Sequence, residues 1–219
     1  MHQENVEMKA YYAARAAYYD AVYDQPERRA DIAFLRDWLP QRFEGREVIE
    51  VACGTGFWSQ YIAPAAKRYV MTDGVQEPLD FAKQRPGVTP EQCFLADAYA
   101  LPVSLGKFDG AFAGLWFSHV PKGRYEEFFA SLHGRLLPDA RVVFIDNSEV
   151  QCKDYPIVEV DADGNTYQDR PLRDGSSHRV LKNFPSEAEL SEIAKTYGAS
   201  QCAYRALDNF WHFEYTLAG

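Results

Sequence analysis

The chain lacks any run of basic residues. Lys and Arg number 23 against 32 Asp and Glu, for a formal net charge of −9, and the densest local cluster is Glu27-Arg28-Arg29. Proteins that grip nucleic acid draw affinity from cations placed along the phosphates, so the balance argues against DNA or RNA as a partner. Long apolar stretches are also missing. No segment approaches the roughly 18 apolar residues of a membrane span, and the first thirty residues carry both signs of charge with no apolar targeting core. The expectations are no membrane partner and a cytoplasmic location. Cysteine is sparse: Cys53, Cys93, Cys152 and Cys202 form no CxxC and no Cys/His group with metal-ligand spacing. They read as small buried residues in a reducing compartment, with no metal site. What is plentiful is apolar and aromatic surface. Hydrophobic residues make up 47% of the chain, and 14 Tyr, 14 Phe and 4 Trp can fill a core and line a pocket for a flat molecule.

The 219 residues suit one domain, divided here into a helical lid (1–43), a core (44–149), an inserted segment (150–184) and a C-terminal helix and hairpin (185–219). Residues 8–24 have helical spacing, with Tyr12, Tyr19 and Tyr23 on one face and Tyr11, Tyr18 and Val22 on the next. Pro26 fits the first turn of a second helix at 27–39, striped by Ile32, Leu35 and Leu39. Apolar strands then follow at 46–52, 67–73, 93–97, 108–117 and 140–147, alternating with helices at 57–66, 75–85 and 122–137. That alternation predicts an α/β, doubly wound, Rossmann-like parallel sheet covered on both faces. The stretch 150–183 is polar, turns at Asp161–Asn165, and predicts an excursion outside the sheet with extended pieces at 155–160, 166–172 and 178–184. Ser186 and Glu189 form a capping box opening a helix at 186–197. Strands at 200–207 and 210–217 are too close in sequence to pair otherwise than antiparallel, which completes a seven-stranded sheet.

The chemistry centres on VIEVACGTG, 48–56, a strand running into Gly54-Thr55-Gly56. Glycines there permit a sharp turn and close backbone approach to a ligand. A dinucleotide fingerprint requires a third glycine at position 59, where this chain has Ser59 behind Phe57 and Trp58. The strand also carries Glu50, a carboxylate suited to a ligand with an ammonium group and of little use to a pyrophosphate. Asp73, ending the second strand, can accept from both hydroxyls of a ribose. Asp97 follows the third.

Glu50-Val51-Ala52-Cys53-Gly54-Thr55-Gly56 resembles motif I of the class I methyltransferases that use S-adenosylmethionine (SAM), written (D/E)xGxGxG, with Ala52 in place of the first glycine. The resemblance continues, in order, through Asp73, Asp97-Ala98, FDGAFAGLWFSHVP (108–121) and LHGRLLPDARVVFIDN (132–147). It implies a cofactor site in which Glu50, Ala52, Gly54 and Gly56 wrap the methionine part. Asp73 would hold the ribose, Asp97 and Ala98 the adenine, and Gly114 would lie beside the methyl. Tyr19 would reach the cofactor from the lid, with Tyr12 and Tyr23 beside the substrate. The whole resembles bacterial enzymes of small-metabolite and secondary metabolism, including those that methylate ring nitrogens of pterin-like or toxoflavin-like compounds. The implied reaction is in-line transfer to nitrogen or oxygen of an aromatic or heterocyclic small molecule, by a monomer or homodimer, leaving S-adenosylhomocysteine.

His119, after the fourth strand, has the pKa range of a general base, or else it binds substrate or ends the strand. Trp116 and Phe117 form a stacking wall or core. Asn147 and Asp146 open toward the ligand face, and His178 in the insertion folds over the pocket. His133 is structural by its helical position, and the role of His212 is open. The rivals are an NAD-dependent oxidoreductase and a SAM-binding partner protein without turnover.

Overall fold

The computed structural model describes residues 3–219, with side chains from Glu7 onward. Helix α1 (Gln3–Arg15) passes into 3-10 turns at Ala16–Val22, and α2 (Arg29–Phe43) follows. Strands β1 (Glu47–Val51), β2 (Arg68–Asp73), β3 (Cys93–Leu95), β4 (Phe108–Gly114) and β5 (Leu136–Asn147) alternate with helices α3 (Ser59–Ile62), α4 (Gln76–Ala82) and α5 (Tyr125–His133). Three short strands, β6 (Ile157–Val160), β7 (Thr166–Pro171) and β8 (Ser177–Leu181), precede α6 (Glu187–Thr196), β9 (Ala199–Ala206) and β10 (Phe210–Leu217).

The main sheet has the order β3-β2-β1-β4-β5-β10-β9. Its first five strands are parallel, and β10 runs antiparallel between β5 and β9. The Rossmann-like α/β expectation and the terminal antiparallel hairpin both hold. Apolar side chains on both sheet faces build two cores, one around Ile49, Phe117, Phe128 and Phe144, the other around Leu35, Phe43, Met71 and Phe112. The insertion is a separate antiparallel sheet, β6-β7-β8. Tyr11 of α1 packs against its Leu172 and Val180.

Several elements differ from expectation for identifiable reasons. The lid is not one helix: Tyr18 at φ −133 leaves helical geometry. Helix α2 continues through Pro40, with Phe43 buried at its end. The helix expected over 122–137 is shorter, because Leu136 already pairs with Phe108 in the sheet. Pro138-Asp139 is a kink inside β5, where Asp139 takes φ +60 and the register to β4 shifts. Strand β4 stops at Gly114 because Leu115 turns out at φ +57. Among the described residues, no helix is long and apolar enough to cross a membrane.

Candidate functional site

The turn after β1 places three alternate residues in the left-handed region: Ala52 at φ +55, Gly54 at +56 and Gly56 at +72. Ala52 therefore holds the conformation that a glycine adopts without strain, at a cost of about 1 kcal/mol for its Cβ. Gly56 has a second constraint, since a Cβ there would meet Ala82 Cβ at 3.0 Å. Asp73 binds this turn to the end of β2. Its carboxylate accepts from Gly54 N at 2.8 Å and from Val75 N at 2.8 Å. Burial pushes its pKa up to about 6 against those bonds.

Beyond the carboxyl ends of β1, β2 and β4 lies a cleft of about 920 Å³, where ligands of open α/β sheets bind. Ala52, Gly54, Asp73, Asp97, Ala98 and Gly114 line it from the sheet side, while Tyr12, Tyr19 and Tyr23 close it from the lid. Trp58, Leu115, Trp116 and His119 complete its floor. Asp97 sits exposed at the rim, where it accepts from Tyr99 N at 3.0 Å. The buried indole N–H of Trp116 has no partner among the described residues.

A second cavity of about 780 Å³ adjoins the first and shares Tyr12, Tyr19, Leu115 and His119 with it. The hub is His119, 3% exposed. Its ring contacts the Leu181 carbonyl through Nδ1 at 2.5 Å, so Nδ1 must be the protonated nitrogen. The Tyr12 hydroxyl then donates to Nε2 at 2.8 Å. Burial, with the charges of Lys182 and Arg170, pulls its pKa down to about 3. Beneath it, Asp146 at the end of β5 accepts from Lys182 Nζ at 2.6 Å and from Ser118 N at 3.0 Å. Burial raises the Asp146 carboxyl, but Lys182 and His119 hold it below its ordinary range, and burial draws Lys182 down to about 8.

Most sequence-predicted residues converge on these two spaces, and four do not behave as expected. Glu50 lies under the turn instead of in the cleft, 1% exposed, accepting from Ser59 Oγ at 2.5 Å and Tyr69 Oη at 2.7 Å. Gly56 backs onto α4, outside the cleft lining. His178 packs on Tyr11, ring centroids 5.7 Å apart, and lines neither cavity. His119 has both ring nitrogens engaged and is held neutral, so a free general base is not what the geometry presents. Asn147 does line the second cavity, where it accepts from Gln151 Nε2 at 2.9 Å. Sequence reasoning missed Arg15, Arg28, Arg170 and Lys182, which line that cavity. The inward alternation of Arg170 in β7, between exposed Asp169 and Pro171, was the available signal. Among the described residues, no three His, Cys, Asp or Glu side chains are arranged to hold a metal.

A family model described as a methyltransferase domain matches residues 48–139. The biotin biosynthesis bifunctional protein BioHC of Cellvibrio japonicus (strain Ueda107) is 32% identical over 111 residues, 49% of this chain and 21% of that protein. The chain thus spans about a fifth of the length of this curated relative. A structure of the DhpI–SAH complex superposes over 100% of this chain and 98% of its own, at a TM-score of 0.80 and 27% identity. The DhpI–SAM–HEP complex gives 0.76 and 28%, over 98% of both chains. Residues 48–139 thus match a methyltransferase domain, and the whole chain shares its fold with the SAH- and SAM-bound DhpI structures, which supports a class I SAM-dependent methyltransferase.

Proposed function

We propose that this protein transfers a methyl group from SAM to a small acceptor held in the second cavity. The observation that carries the reading is the meeting of the two cavities at Tyr12, Tyr19, Leu115 and His119. A nucleoside-sized cleft ending on a separate, lid-covered space is the geometry that a two-substrate transfer needs.

The residues present suit the cofactor. The cleft offers one buried carboxylate at the turn, one at the rim, aromatic walls, and an unpaired indole N–H. Asp73 would hold the ribose, Asp97 and Ala98 the adenine end, and the turn 52–54 the amino-acid end. When bound, SAM supplies an electrophilic methyl carbon on a good leaving group. This chain contributes alignment and exclusion of water. The three lid tyrosines roof the cleft, and His119 fixes Tyr12 at the junction while acting as a positioning residue. The DhpI neighbour, whose complex carries SAM and HEP together, supports a small-molecule acceptor here.

The test is calorimetric titration with S-adenosylhomocysteine. Wild-type protein is expected to bind in the micromolar range. Asp97→Ala should weaken binding about tenfold through loss of an exposed rim contact, and Asp73→Asn more, since its charge-assisted contact is buried. Binding of NADH with no binding of S-adenosylhomocysteine would sink the reading in favour of an oxidoreductase.

A further inference from the structure

The second cavity is positively charged inside a protein whose net charge is −9. Its lining includes Arg15, Arg28, Arg170 and Lys182 and no carboxylate. Two of the four are compensated from behind: Lys182 by buried Asp146 at 2.6 Å, and Arg28 by Asp154 at 3.9 Å, a side chain 55% exposed. Arg15 and Arg170 have no carboxylate within ion-pair distance among the described residues. Arg15 donates to the Tyr11 hydroxyl at 2.6 Å and lies over the Tyr11 and Tyr19 rings.

Arg170 is the sharper case. It is 4% exposed, and its Nη2 donates only to neutral amides, Gln168 Oε1 at 2.7 Å and Gln151 Oε1 at 3.2 Å. Its Nε is buried without a partner. A guanidinium taken out of water needs a counter-charge and hydrogen-bond acceptors. Carboxylates outnumber cations in this chain, yet none has been placed here. Arg170 also sits where catalysis would need it, because its charge acts on Tyr12, Tyr19 and His119, three of the residues common to both cavities.

We infer that the acceptor carries a small oxyanion, a phosphate, phosphonate or carboxylate group, bound by Arg170 with Arg15 and Arg28 around it. This rests on the function proposed above and narrows its substrate class. Tyr12, Tyr18, Tyr19 and Tyr155 leave the carbon skeleton open, flat or otherwise. The lining donors, by contrast, specify negative charge, and a planar guanidinium matches two oxygens of one anionic group. The engaged nitrogens of His119 point the same way: a hydroxyl acceptor must shed its proton as it is methylated, whereas an oxyanion has no proton to lose.

The experiment titrates protein saturated with S-adenosylhomocysteine with ethylphosphonate, propionate and propionamide. Both anions, or one of them, should bind about tenfold or more tighter than the amide. A lead for ethylphosphonate assigns a tetrahedral dianion, and parity or a lead for propionate assigns a carboxylate. Arg170→Gln should weaken anion binding about tenfold or more while S-adenosylhomocysteine affinity stays within about twofold, and Arg170→Lys should recover part of the loss. Equal binding of amide and anions, no anion binding, or unchanged anion binding in Arg170→Gln overturns the inference. The wild-type series stands even where the variants fold poorly. Loss of S-adenosylhomocysteine binding by wild type would instead strike the proposed function itself.

Discussion

Glu50 lies sealed between Ser59 and Tyr69, and burial pushes its carboxyl up to about 7 despite both hydrogen bonds. An acid with a raised folded pKa binds its proton more tightly in the folded state. The resulting stabilisation is full below the unfolded pKa near 4.5 and is lost as pH rises through about 7. Over that window the loss is on the order of 3 kcal/mol. Glu50→Gln has no such proton to lose, and any misfit of its amide is the same at every pH. The melting temperature of wild type minus that of Glu50→Gln should therefore fall by about 5 °C or more between pH 5 and pH 8, in ligand-free protein. Parallel melting curves would show that Glu50 is charged throughout. His119 behaves in the opposite sense, because its folded pKa lies below its ordinary value. It should remain a neutral Nδ1–H tautomer at pH 5.5 in nitrogen-detected NMR. A cationic ring at that pH would reopen the general-base role.

Among the elements, the lid is held by a latch that no single residue announces. Asp20 of the 3-10 segment accepts from Thr55 Oγ1 at 2.6 Å and pairs with Arg85, while Arg85 Nε donates to the Thr55 carbonyl at 2.8 Å. The lid, the motif turn and the chain just past α4 are thereby tied at one point. Removing Arg85 takes away charge-assisted bonds worth roughly 1–2 kcal/mol at this half-exposed site. Arg85→Ala should release S-adenosylhomocysteine about tenfold faster in stopped-flow displacement, and an unchanged rate would mean the lid closes without the latch. The strands were legible because β1 and β4 are largely apolar, broken only by Glu47 and Glu50 in the first and Asp109 in the second, and α6 because Ser186 and Glu189 cap each other. The break after Arg15 was not, since 3-10 turns preserve the tyrosine spacing that a continuous helix would show. The start of β5 was hidden for a related reason: Leu136 continues the apolar stripe of α5 while already pairing in the sheet. Motif residues Gly54 and Asp73 were legible from local order along one strand–turn–strand unit. Arg170 and Lys182 were not, because they reach the site only through the folding of the three-stranded insertion against the lid.

At the level of the whole molecule, both cavities share one wall, and that wall is the lid. Tyr12 and Tyr19 line both, and Tyr23 lines the cleft while stacking on Phe57 with ring centroids 3.7 Å apart. A ligand that exchanges through this wall sets lid opening and ligand binding in competition. Chymotrypsin reports on the opening, since cleavage after Tyr18, Tyr19 or Tyr23 needs an extended, exposed backbone that the closed lid withholds. Under native conditions such cleavage follows the open population, well before the sheet unfolds. Ligand that binds only the closed form should slow cutting by one plus the ratio of its concentration to Kd, about a hundredfold at 100 times Kd. Cleavage at these tyrosines should thus slow in proportion to S-adenosylhomocysteine concentration. A rate that levels off after a few-fold effect would place cofactor exchange along a path that bypasses the lid, through the rim at Asp97.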